Sequence, residues 1–128
     1  MIELTETDLL AIISREELDG LAKQVLEEGQ PEPIATCIAE GLGTIKLYVD
    51  PYVIQDDALR KIWRILAVCW LYNRLSVMPE KREKEQAWAI GVLEGIRDGK
   101  FPNLLVAPPD DETPPGRGEW GSKTKIPI

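Results

Sequence analysis

The chain has 128 residues, a net charge of −7 and no histidine. That length fits one domain, and the missing histidine excludes Ser-His-Asp, Cys-His and His-zinc chemistry at once. No apolar run reaches the ~18–20 residues of a membrane span; the longest, Ile65 to Tyr72, has eight. The N-terminus, Met1 to Glu6, has no basic stretch followed by an apolar one, so no signal peptide is expected and the product should stay in the cytosol.

The charge is unevenly spread. Residues 1–34 hold nine acids and two bases, and so carry the whole −7, while residues 35–128 hold 13 of each. Such an acidic segment repels phosphate and argues against simple duplex binding. It reads either as a solvated helical face or as a surface for a basic partner, one past which DNA moves without sticking.

Thr5-Glu-Thr-Asp8 opens a first helix carrying Leu9, Leu10, Ile12 and Ile13. Ser14-Arg-Glu-Glu17 is a capping box that starts a second at about residue 15. Its apolar positions, Leu18, Leu21, Ala22, Val25 and Leu26, share one face, and Gly29 ends it before Pro31 and Pro33. A third helix spans about 34–49 with a stripe at Ile34, Cys37, Ile38, Leu42, Ile45, Tyr48 and Val49. Gly41 and Gly43 inside it mark either a close helix approach or a break. Asp50-Pro51 stops it, and residues 51–54 read as extended or turn.

Asp56 or Asp57 caps a fourth helix, about 57–76. Its first turns are basic, with Arg60, Lys61 and Arg64; Ile65 to Tyr72 is apolar all round and marks the central helix of the domain. Pro79 takes the first position of a fifth helix. Glu80 to Gln86 is a charged turn of alternating sign; Trp88, Ala89, Val92, Leu93 and Ile96 then form the buried stripe, closed by Gly99. No period-two segment predicts a strand. The expected fold is all-α: about five helices in one bundle over residues 1–101, followed by an extended Pro/Gly-rich arm, 102–128.

Little in the sequence supports catalysis. Cys37 and Cys69 lie in apolar helical stretches and read as core. No Gly-rich phosphate loop is present, and Asp110-Asp111-Glu112 sits between prolines, a poor scaffold for an active site. No cofactor, metal or catalytic residue is assigned, and the chain reads as a non-enzyme. Trp70 and Trp88 read as core, while Trp63, among its basic neighbours, reads either as core or as a half-exposed interface aromatic. Two interaction surfaces stand out instead. The acids Glu16, Glu17, Glu27 and Glu28 of one copy complement Arg60, Lys61 and Arg64 of a neighbour, a head-to-tail contact able to close into a ring. Trp120, Lys123, Lys125, Ile126 and Ile128 form a docking segment after the spacer, with Trp120 as anchor; the plain alternative is a frayed end.

Thr5-x-x-Asp8-Leu9 in a short first helix, Tyr48-Val-x-Pro51 closing another, Leu71-Tyr72 in a buried helix and Gln86-Ala-Trp88 with Leu93, Ile96 and Gly99 in the last carry a resemblance. Over residues 1–100 the chain resembles tailed-phage head–tail connectors, in particular the small neck-protein family of Mu-like phages. The resemblance implies a non-catalytic helical virion protein, made in the host cytoplasm. It would assemble with itself as a ring, commonly twelve-fold, below the portal protein. The ring would extend the DNA channel without sequence-specific binding and present a platform to a tail-side stopper or tail-completion protein. The arm would reach the portal, with a neighbouring subunit as the other candidate. The family's third helix is usually poorer in glycine and its tail often shorter. A small DNA-binding or regulatory module is the rival reading, opposed by Glu16, Glu17, Asp19, Glu27 and Glu28 on its would-be recognition helix.

Overall fold

The computed structural model describes residues 2–106. They form an all-α bundle of five helices: α1 (Glu6–Leu9), α2 (Arg15–Glu27), α3 (Pro33–Val49), α4 (Asp56–Arg74) and α5 (Glu80–Arg97), followed by a 3-10 turn, Pro102–Leu104. α4 is the axis of the bundle, packed against each of the other four helices, with its broadest contact on α3. Its buried residues run round the whole helix, from Leu59, Ile62 and Trp63 through Ile65–Cys69 to Leu71 and Tyr72. That is what an apolar stretch without a polar face requires.

The helix ends follow local chemistry. At α1 the Thr5 N–H donates to the Asp8 carboxylate at 2.8 Å. At α2 the Ser14 Oγ accepts the Glu17 N–H at 3.1 Å. The capping box is not closed there, because the Glu17 carboxylate accepts the Tyr72 hydroxyl instead. α2, α4 and α5 end alike. A residue in the left-handed region (Gly29 at φ 103°, Ser76 at φ 58°, Gly99 at φ 82°) lets the next N–H reach back five residues. Gln30 bonds to Val25 O, Val77 to Tyr72 O and Lys100 to Gly95 O.

Four boundary readings are corrected. α1 is a single turn rather than a helix to Ile13. Gln55, not Asp56 or Asp57, is the N-cap of α4, and both aspartates lie in its first turn, where the helix dipole favours them. Pro79 is the N-cap of α5 and not its first helical residue. α3 starts at Pro33 and runs unbroken through both glycines. Gly41 is buried against α4, where an added Cβ would stand 3.0 Å from Trp63 Cδ1 and 3.3 Å from the Ala67 N; Gly43 has nothing within 4 Å. Close approach at Gly41 is therefore the reason for one glycine only.

The tryptophans are also redistributed. Trp63 is 4% exposed and donates its Nε1–H to the Ile38 carbonyl at 2.7 Å. The ring is drawn inward because Gly41 leaves room for it. Trp70 is only partly buried, and Trp88 is 46% exposed. The inner face of α5 is instead Arg82, Ala89, Leu93, Gly95 and Ile96. One residue is about 100° round a helix, so a face centred on Ala89 and Leu93 turns Trp88 outward.

Residues 102–106, assigned by composition to the arm, are tied to the domain. Phe101 packs on Gly95, at a place where a Cβ would not fit. The chain then returns along the segment before α4. Gln55 N–H bonds to Leu104 O and Val106 N–H to Val53 O, each at 2.8 Å, and Ile54 pairs antiparallel with Leu105. Among the described residues this bridge is the sole β pairing.

Candidate functional site

Three surfaces carry the chemistry. The basic set on α4 does not act as one group. Arg60 is engaged within its own chain, with Nε 3.6 Å from Asp8 Oδ1 and an NH1 3.9 Å from Asp57 Oδ1. The Thr5 N–H bond, and after it the charges of Arg60 and Arg64, hold the Asp8 carboxyl below its ordinary pKa. Arg64 is partly buried, and its Nε has no hydrogen-bond partner among the described residues. Lys61 alone of the three is exposed. Its Nζ lies 5.1 Å from the centre of the Trp88 ring, a cation–π distance. The outward turn of Trp88 thus makes a Lys61–Trp88 knob on the surface between α4 and α5.

The acidic set lies on α2. Glu16, Glu27 and Glu28 are exposed and form no ion pair with any described residue, whereas Asp19 stands 3.7 Å from Arg15. Glu17 differs: its carboxylate accepts the Tyr72 hydroxyl and ties α2 to α4. Burial, followed by this carboxylate, raises the Tyr72 pKa. The predicted docking residues Trp120, Lys123, Lys125, Ile126 and Ile128 lie outside the described residues.

The third surface had no counterpart in the sequence reading. Between the end of α3 and the start of α4 lies a groove of about 300 Å³, walled by Leu42, Ile45 and Val49, by Ile54 and Leu59, and by Val106. Tyr52 and Val53 stand at its edge, 45% and 58% exposed. Lys46, Asp50 and Asp56 rim it. The signal was present as short apolar stretches, 52–54 after Pro51 and 104–106 between Pro102 and Pro108, but neither has a periodicity that assigns it a partner.

A buried polar cluster also escaped the sequence. Arg82, part of the charged turn from Glu80 to Gln86 in the sequence, is 6% exposed. Its guanidinium donates to Glu85 at 2.8 Å and to the Ile12 carbonyl at 2.6 Å, joining α5 to the link between α1 and α2. All its named partners belong to the fold, so its part is structural.

The two cysteines are free and buried. Burial pushes the Cys37 thiol up to about 12 and the Cys69 thiol up to about 11. Neither supplies a thiolate at neutral pH. Among the described residues no cluster of three or more Cys, Asp or Glu side chains is placed to hold a metal ion, and no helix is long and apolar enough to cross a membrane. No family model, no curated protein and no solved structure matches this chain.

Proposed function

We propose that this protein is a structural virion subunit, a head–tail connector that assembles with copies of itself into a ring below the portal and lets DNA through its channel. The resemblance of residues 1–100 suggests the class. The observation that carries the reading is the charge left uncancelled on the single chain. Glu16, Glu27 and Glu28 have no basic partner, and Lys61, stacked on Trp88, has no acidic one among the described residues. Unlike surfaces of opposite sign on one chain favour a head-to-tail contact, which closes when the rotation allows. An aromatic beside a cation is the composition of an interface centre. The contact narrows to Lys61 and Trp88, because Arg60 is already held by Asp8. Acidic residues left facing a channel repel the DNA backbone, which suits passage without retention.

Sedimentation of the full chain, with and without a portal protein, tests this. A ring-sized species should form and weaken with added salt, since exposed charges are screened within ~10 Å at 0.1 M. Lys61→Glu should abolish it with helicity intact, and adding Glu27→Lys and Glu28→Lys should partly restore it. A species that persists in Lys61→Glu at all salts, or a chain that stays monomeric beside the portal, overturns the reading.

A further inference from the structure

We propose that the groove between α3 and α4 is covered in the free chain by the chain's own segment from Glu119 to Ile128, with Trp120 seated in it. This stands apart from the connector reading and does not depend on a ring. The groove is apolar, small and open, with a volume of about 300 Å³, room for one large aromatic side chain. Its exposed edge, Tyr52, Val53 and Val106, makes a contiguous apolar patch, and such patches mark contact sites.

Three observations name the occupant. The described chain stops at Val106, itself a wall of the groove, so the segment is tethered at the site it would fill. From Val106 to Trp120 the backbone spans at most about 50 Å, ample to turn back, and a tether of this kind holds its end at roughly millimolar effective concentration. That concentration favours the chain's own segment over a second copy in dilute solution.

The second observation is composition. After Ala107 the non-proline hydrophobic residues are Trp120, Ile126 and Ile128. Tryptophan is the side chain most able to anchor a small apolar pocket. The third is charge. The rim carries Lys46, Asp50 and Asp56, none in an ion pair among the described residues. The segment carries Glu119, then Lys123 and Lys125. One acid and two bases meet one base and two acids. Exposed pairs add little energy, but they set orientation.

Photocrosslinking of the full chain tests this. Trp120 is replaced by p-benzoylphenylalanine, the chain is irradiated at low micromolar concentration, and the cross-linked peptides are mapped by mass spectrometry. Cross-links should fall on residues 42–59 or on Val106, and in a mixture of light and heavy isotope-labelled chains they should join peptides of one label. Val53→Glu, at a residue already 58% exposed, should leave helicity unchanged and lower the yield about fivefold or more. Cross-links that map elsewhere, that join light to heavy chains, or that survive Val53→Glu undiminished overturn the proposal. Ring formation is read separately by sedimentation, so either idea can fail alone.

Discussion

Gly41 and Gly43 sit two residues apart in α3, and alanine at these positions should act with opposite sign. In an exposed helix interior, Gly→Ala gains about 0.5–1 kcal/mol by restricting the unfolded chain and favouring the helix. Gly43 is exposed, and an added Cβ there meets nothing within 4 Å. Gly43→Ala should collect the full gain. At Gly41 the same Cβ would stand 3.0 Å from Trp63 Cδ1 and 3.3 Å from the Ala67 N. Carbon atoms prefer about 3.5–4.0 Å. The ring cannot simply withdraw, because its Nε1–H is bonded to Ile38 O at 2.7 Å and the residue is 4% exposed. Relief requires α3 and α4 to part along the broadest contact in the bundle, and overpacking of this kind costs about 1–3 kcal/mol. The net for Gly41→Ala is a loss of about 0–2 kcal/mol, so the two variants should differ by about 1–3 kcal/mol. At this size 1 kcal/mol moves Tm by roughly 4 °C. Urea and thermal unfolding followed by far-UV circular dichroism measure both. Should Gly41→Ala stabilise as much as Gly43→Ala, the close approach of α3 to Trp63 is wrong.

Trp63→Ala should cost about 3–5 kcal/mol through the cavity it leaves, and Trp70→Ala, at a partly buried site, markedly less; equal losses by urea titration would contradict the burial of Trp63. Arg82→Ala strips the Glu85 carboxylate and Ile12 carbonyl of their partner and should cost about 3–5 kcal/mol, with Arg82→Met recovering part through its stem; a thermal midpoint unmoved in either variant would show Arg82 to be solvated. The Asp8 carboxyl has a folded pKa below its unfolded one, so its contribution is complete above about pH 4 and lost as pH falls through the folded value. The stability gap between wild type and Asp8→Asn should therefore shrink on acidification, and a gap independent of pH in thermal melts would remove the Thr5–Asp8 contact. With both thiols raised by burial, Ellman's reagent at neutral pH should leave the native protein unlabelled and titrate two thiols in denaturant; rapid labelling of the native chain would place a cysteine at the surface.

The sequence alone was enough for the class and order of the elements. Caps and glycine stops act through the backbone of a few neighbouring residues, so Ser14, Gly29 and Gly99 could be read without the fold. The all-apolar run 65–72 likewise marked α4 as central before any packing was known, since such a helix has no face to give to water. What decided the surfaces was tertiary. Whether a tryptophan is core depends on the rotation of its helix and on space across the interface, so the glycine at 41 drew Trp63 in while the Ala89–Leu93 face turned Trp88 out. Nothing in the alternating charges of Glu80 to Gln86 singles out Arg82; only the approach of the Ile12 carbonyl from 70 residues away gave it a buried partner. Arg60 was a candidate for a neighbouring copy until α1 brought Asp8 beside it. The groove exists because residues 101–106 double back over residues 53–55, and such a return is a matter of distant backbone hydrogen bonds and one missing Cβ at Gly95, neither of which leaves a period in the sequence.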